Sequence, residues 1–170
     1  SDDYTTWTLH IRDGLKFSNG KEVTPSVIKA SLERLYAETD AERGGTGNSN
    51  PEIYLAEPVL TASDEDGTLT VTCQQPTSNL PGILAYPYFA VVDVDCIDEK
   101  VVGTGPYALD SIQTGIGAEL SKNEYYWNGT VPYDTLSVVF IEDSTTKAMA
   151  LQSGDVDVVE NITTASDLQK

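Results

Sequence analysis

Gly103-Thr104-Gly105-Pro106-Tyr107 has the residue types of a phosphate-cradling loop, in which glycines let backbone N–H groups approach an anion. The dinucleotide signal needs a strand, G-x-G-x-x-G and then a helix. Here Ala108 holds the third glycine position, and Pro106 and Tyr107 lead into a strand pattern. No lysine follows as in a P-loop. The phosphate chemistry therefore fails. The segment is expected to be a tight backbone passage, with glycine permitting positive φ and Pro106 fixing the exit.

The other candidates are weaker. His10 is the only histidine, and nothing in the sequence places the Asp, Ser or Cys partners that a triad or metal site needs. Asp64, Asp66 and Gly67 resemble the start of a calcium loop, but Gln75 stands where the closing acid belongs, so a hairpin turn explains them better. Asp93 with Asp95, and Asp155 with Asp157, are carboxylates two apart on expected strands and could pair for acid–base work; simple alternation explains both. Cys73 and Cys96 match no zinc or redox spacing. Each continues an apolar alternation, which suits buried thiols; a disulfide between two short strands is the alternative. Asn128-Gly129-Thr130 and Asn161-Ile162-Thr163 match the glycosylation sequon.

Aromatic residues say more. "AYPYFA" gathers Tyr86, Tyr88 and Phe89 around Pro87, and "NEYYWNG" places Tyr125, Tyr126 and Trp127 in a row. Core packing is the default for such clusters. The first, in an irregular segment, also suits a rigid aromatic wall for a ligand.

Positioning these residues requires a mixed α and β frame. Trp7, Leu9 and Ile11 alternate with Thr8, His10 and Arg12, the pattern of a half-buried strand. Asn19-Gly20 signals a turn. Thr24 with Pro25 starts a helix that carries Ile28, Leu32 and Leu35 inward, with Val27 and Ser31 at the edge, and fades near Ala37. Residues 38–50 read as a loop, and a short helix near 51–56 offers Ile53, Tyr54 and Leu55 for packing. Two strands meet at Asp66-Gly67, a helical turn follows in "TSNLPGILA", and "YFAVVDVDC" is extended. After the glycine segment come a strand pair, a buried strand in "YDTLSVVFI", and a helix capped by Asp143 or Ser144 and stopped by Gly154. A strand over 155–159 and a helix begun at Ser166 complete the pattern.

With 27 acidic against 10 basic residues, the 170-residue chain carries a net charge of −17, which repels a phosphate backbone and excludes nucleic-acid binding. No apolar run reaches the roughly 20 residues of a membrane span. The opening "SDDYTTWTLH" is not a basic-then-apolar leader and runs almost at once into a strand, so the chain reads as a piece of a longer protein.

Several stretches in order resemble the extracellular solute-binding proteins of family 5, the peptide, nickel and oligosaccharide receptors of ABC importers. "WTLHIRDGLKFSNGKEVTPSVIKASLERL" is similar to the family's strand, turn and Thr-capped helix. "VGTGPYAL" resembles its G-T-G-P-Y segment, and "LSKNEYYWNGTVPYDTLSVVFIEDSTTKAMALQSGDVDVV" its stretch through N-x-x-Y-W to S-G-x-x-D. These cover about two thirds of the chain; 38–98 matches loosely. The resemblance implies an α+β fold forming part of lobe I of a two-lobed, class II periplasmic-binding-protein-like clamshell. Residues 1–37 and 99–170 would form the main part and 38–98 an inserted subdomain, with the second lobe outside this chain. In that frame Gly103, Thr104, Gly105, Pro106 and Tyr107 mark the return from the inserted subdomain.

The implied function is reversible capture of a small solute, an oligopeptide first, and its delivery to permease subunits, with no catalysis, cofactor or metal. Tyr86, Tyr88 and Phe89, with Asn50 and Tyr54, are the residues expected to face the cleft; Arg12, Lys16, Asn19, Gly20 and Thr24 are expected to be structural. Nickel chelates and oligosaccharides are the alternatives within the family. One histidine, and no basic residue between Asn79 and Glu99, count against an anionic nickel chelate. A non-transport binding or signalling module using the same lobe is a second class, and a hydrolase using the Asp pairs a third. The implied location is extracytoplasmic, periplasmic or on the cell surface, with the membrane reached only through a lipid anchor outside this chain.

Overall fold

The alternation at residues 7–11 does become a strand, β1 (Thr6–His10), in the computed structural model, which describes residues 3–37 and 51–161. It pairs antiparallel with β3 (Thr68–Thr72), which pairs in turn with β2 (Val59–Ser63). The register sets Trp7 opposite Val71 and Leu9 opposite Leu69, so one face collects the apolar residues of all three strands. Helix α1 (Pro25–Ala37) packs over β2 and β3. Leu32, Leu55, Leu60, Leu69, Val71, Cys73, Leu80 and Phe89 are buried between them.

The start of α1 is fixed from both sides. The Val27 N–H donates to Thr24 Oγ1 at 3.4 Å, the cap expected from sequence. The Ser26 N–H donates to Asp64 Oδ1 at 2.8 Å, a contact from the β2–β3 turn that no local pattern announces. This bond to an N–H at the positive end of the helix holds the Asp64 carboxyl below its ordinary range. Ser31, expected at the edge of the buried stripe, is instead 1% exposed, and its Oγ accepts the Val92 N–H at 3.0 Å. A small hydroxyl there satisfies a backbone donor that burial would otherwise orphan.

A second apolar cluster, Phe17, Val23 and Val102, sits beside the first. It is closed by the Asn19-Gly20 turn, in which Gly20 has φ +86°, and the Phe17 N–H donates to the Lys21 carbonyl at 2.9 Å. Helix α2 (Leu80–Leu84) and the 3-10 turn Pro87–Phe89 lead toward Val92, which bridges Gly103.

The chain then builds a separate sheet from β4 (Tyr107–Gln113), β5 (Gly117–Lys122) and β6 (Thr135–Val139), in that order and all antiparallel. Helix α3 (Ser144–Ser153) follows, capped by Asp143, whose Oδ1 accepts the Thr146 N–H at 2.8 Å, and ended by Gly154 at φ +79°.

Several expectations change. β6 is not a buried strand: it is an edge strand with Val138 42% and Val139 54% exposed, because no layer among the described residues covers it. Residues 155–159 form no strand, because no described strand pairs with them, and Val158 is exposed. The short helix near 51–56 is a single 3-10 turn, Pro51–Ile53, with Ile53 facing solvent. Strand pairing joins residues 6–10 to 59–72. The expectation of inward thiols is met rather than the disulfide: Cys73 is free and buried in the first apolar cluster, and Cys96 is free and partly buried against the second. The expected loop over 38–50 and the helix begun at Ser166 lie outside the described residues.

Candidate ligand-binding site

Two short 3-10 turns place the aromatic residues. In the first, the Tyr54 and Leu55 N–H groups both donate to the Pro51 carbonyl at 3.0 Å; Leu55 is buried and Tyr54 packs half-buried against the same cluster. In the second, the Phe89 N–H donates to the Tyr86 carbonyl at 3.0 Å, burying Phe89 between half-buried Tyr88 and exposed Ala90. Each turn therefore drives an apolar anchor into the core and leaves a tyrosine beside it at the surface.

The outcome is a three-ring platform. The Tyr54 ring lies 4.9 Å from Tyr86 and 5.4 Å from Tyr88 between centroids, tilted by 34° and 33°. This spacing is that of favourable aromatic pairs, and it stiffens all three rings against one another. Tyr86 is 50% exposed, whereas Tyr54 and Tyr88 are partly buried against the first apolar cluster. Of the residues expected to face a ligand, Tyr54, Tyr86 and Tyr88 come together. Phe89 does not: at 4% exposure it is a core residue, the anchor that holds Tyr88 in place. Asn50 lies outside the described residues.

Tyr36 from α1 donates its hydroxyl to the Leu55 carbonyl, one residue after Tyr54, at 3.1 Å. Burial, and then the nearby charges of Glu57 and Glu52, push this phenol up to about 12. Nothing in the sequence of α1 marks Tyr36 for this place; helical spacing from Leu32 is the only hint.

The Gly103–Tyr107 segment is a junction of backbone acceptors. The Gly103 carbonyl accepts the Ser18 N–H at 2.9 Å, and Val102 accepts the Asp93 N–H at 2.9 Å. The Gly105 carbonyl accepts Asn123 Nδ2 at 2.7 Å, and the Pro106 carbonyl accepts the Asn123 N–H at 3.0 Å. Buried Asn123 thus ties the first sheet's connection to the second sheet. Neither Gly103 nor Gly105 is among the positive-φ glycines, so the expected need for left-handed backbone is corrected: the segment bends over Thr104–Pro106, and its carbonyls are taken up by Ser18 and Asn123.

Asp93 and Asp95 do not form an acid–base pair. Both accept from Lys21 Nζ at 2.6 Å, and Asn19 Nδ2 donates to Asp93 at 3.0 Å. Burial pushes the Asp93 carboxyl up, but the Lys21 and Asn19 bonds outweigh it and leave the group below its ordinary range. This buried carboxylate pins the Asn19-Gly20 turn to the turn-rich segment that follows the isolated Val92–Gly103 bridge. Asp64 and Asp66 diverge: one caps α1, the other accepts Ser63 Oγ at 2.7 Å. Among the described residues no cluster could hold a metal ion. The second aromatic group is structural. Trp127 lies under the Arg12 guanidinium at 4.4 Å and Tyr125 under Lys16 Nζ at 5.6 Å, so cation–π contacts seal the seam between the sheets.

Known proteins share this fold. The chain is 26% identical over 161 residues to the nickel-binding protein NikA of Staphylococcus aureus, covering 93% of this chain and 30% of that protein. It is 29% identical over 163 residues to the glutathione-binding protein GsiB of Escherichia coli K12, covering 91% and 30%. A solved nickel ABC transporter structure from Bacillus halodurans superposes with a TM-score of 0.74 at 32% identity, covering 92% of this chain and 31% of that one. The chain thus spans about a third of the length of these proteins, and its fold is part of one lobe of their two-lobed clamshell. The model of the bacterial extracellular solute-binding proteins, family 5, middle part, matches residues 1–170, and this chain belongs to that family.

Proposed function

We propose that the chain is part of the extracytoplasmic receptor of an ABC importer, and that the solute it helps to capture is an oligopeptide. The observation that carries this reading is the cluster of Tyr54, Tyr86 and Tyr88, in which Tyr86 is 50% exposed and the other two rings, partly buried against the core, hold it. Tyrosine rings suit peptides because they offer apolar area with a polar hydroxyl at small entropic cost. Family membership supports capture without bond making, and of the Asp pairs that could have served a hydrolase, Asp93 and Asp95 are committed to Lys21.

Residues 51–98 supply the wall, and the sheet of 107–139 belongs to the remainder of the lobe. Closure of a second lobe over the platform would complete the burial a small ligand needs. The receptor would then meet the permease subunits at the outer face of the membrane, held there by a lipid anchor. One relative is named for glutathione, which is itself a peptide. Other relatives are named for nickel, the second reading; the absence of Lys, Arg and His between residues 51 and 99 disfavours an anionic chelate on this wall.

The test is a thermal-shift screen of the whole receptor against di- to hexapeptides, nickel chelates and oligosaccharides. A peptide at a hundredfold excess over Kd should add about 2.7 kcal/mol of stability. A shift from nickel chelates alone would replace the peptide assignment, and no shift from any class would remove it.

A further inference from the structure

The second sheet has two unlike edges. β4 carries a register shift between Leu109 and Ser111, with charged Asp110 at the irregularity, and both features discourage a further strand. β6 has neither device. Its residues Thr135–Val139 pair with β5 without a break and include no charge and no proline. The bonds at its two ends show which way its backbone groups point. The Lys122 N–H donates to the Asp134 carbonyl at 2.8 Å and the Phe140 N–H to the Ile116 carbonyl at 2.9 Å, so even-numbered residues bond to β5. Thr135, Ser137 and Val139 therefore turn their N–H and C=O groups away from the sheet, where no described residue meets them. Residues 155–159 show the same deficit: their valines alternate as in a strand, yet no described strand pairs with them.

We propose that β6 is an interior strand in the whole receptor, and that the strand beside it comes from the part of the same polypeptide outside these 170 residues. A flat, uncharged edge is a template for pairing, and proteins that leave such an edge open protect it. The occupant follows from length and charge. The chain covers 30% of NikA and of GsiB, so a whole receptor of that size has much further chain to place around this lobe. A second copy fits the edge poorly, since each copy brings a net charge of −17 to the contact. Main-chain bonds along β6 would join the remainder of the receptor to this sheet, so that both move as one body when the cleft closes. The inference rests on family membership and stands or falls independently of the peptide reading.

Residue-resolved hydrogen exchange on the whole receptor, without added solute, tests this directly. The outward amides of Thr135, Ser137 and Val139 should exchange at least about 100-fold slower than free amides, as the inward amides of Leu136 and Val138 do. Fast exchange at the three outward positions beside slow exchange at the two inward ones would overturn the inference. Protection that vanishes on hundredfold dilution would give the edge to a second copy, and protection that appears only with added peptide would give it to the solute; either overturns the occupant proposed. A variant pair reads the same bond through stability. Ser137→Ala loses the hydroxyl bond to Glu119 and keeps the backbone N–H, whereas Ser137→Pro loses both. On a paired strand Ser137→Pro should lower the Tm by about 5 °C or more beyond Ser137→Ala; on an open edge the two should match. Where Ser137→Pro does not fold at all, exchange of the unaltered receptor decides.

Discussion

The two sheets of this molecule are made of similar strands and end in opposite states. In the first, β1, β3 and β2 carry alternating apolar residues, and α1 lies over them; Leu69 is 0% and Val71 1% exposed. In the second, β4, β5 and β6 align Leu109, Leu120 and Leu136 on one face with Ile112, Ala118 and Val138 beside them. Yet Ile112 remains 60% and Val138 42% exposed. The difference is the second layer. A sheet buries its apolar face only when another element packs on it. The first region owns such a helix; α3 makes no comparable contact with the second sheet. Alternation in a strand thus prepares a face for burial without supplying the cover.

Paired substitutions break or sharpen that contrast. The largest effect belongs to the closed core: Leu69→Ala should cost about 2–5 kcal/mol in urea unfolding, through lost transfer energy and a cavity. Leu136→Ala, on the half-buried face, should cost about 1 kcal/mol. Equal losses would mean that the second sheet is covered in solution.

Next is the charge lock of the first region. Asp93→Asn should lower stability by about 1–3 kcal/mol at neutral pH, because Lys21 and Asn19 lose a charged acceptor that is 2% exposed. The Asp93 carboxyl is depressed on folding, so its contribution is full above the unfolded value of about 3.9 and is lost as pH falls through the lower folded value. Lys21 is raised by its bonds to Asp93 and Asp95, so its share is full below about 10.4 and is lost as pH rises through the higher folded value. The gap between wild type and D93N should therefore be flat from about pH 5 to 9 and close below about pH 4. A gap that persists at low pH would show packing, not charge, at this position.

A smaller contrast concerns glycine. Gly20 and Gly129 share φ +86°, but a Cβ on Gly20 would press on the Tyr125 ring at 3.0 Å, whereas Gly129 faces open space. Gly20→Ala should cost about 2 kcal/mol or more and Gly129→Ala about 1 kcal/mol, read from shifts in Tm. If the two are equal, Tyr125 yields freely and the seam between the sheets is loose. The least effect is expected of Ile112→Thr with Val138→Thr: stability within about 0.5 kcal/mol, with reduced fluorescence of an apolar-surface dye. Unchanged dye binding would place the exposed apolar surface elsewhere.

Features that depend on neighbours in the chain were legible in advance. The Thr24-Pro25 start of α1, the Asp143 and Gly154 ends of α3, and the glycine turns at residues 20 and 67 each follow from one or two residues acting within a few positions. Features that depend on a distant partner were not. Ser31 is buried because it meets the Val92 N–H, Asp64 is bound because α1 begins beside it, and Asp93 is paired because Lys21 arrives across 72 positions. The candidate site divided the same way. The composition of "AYPYFA" marked aromatic surface, but alternation could not tell Phe89 from Tyr88, and only the 3-10 turn decided which went inward.

The sequence by itself determined β1 to β6, the caps, the acidic surface and the family pattern, since these are set by side-chain period, local hydrogen bonding and charge count; the strand expected over 155–159 lacked a partner. The tertiary structure alone decided that Tyr54, more than thirty positions from Tyr86 and Tyr88, joins them in one platform. It decided too that Asn123 ties the Gly105–Pro106 carbonyls to the second sheet, and that β6 lies open at an edge. Each of these turns on which groups share water-free space, and local patterning carries no term for that.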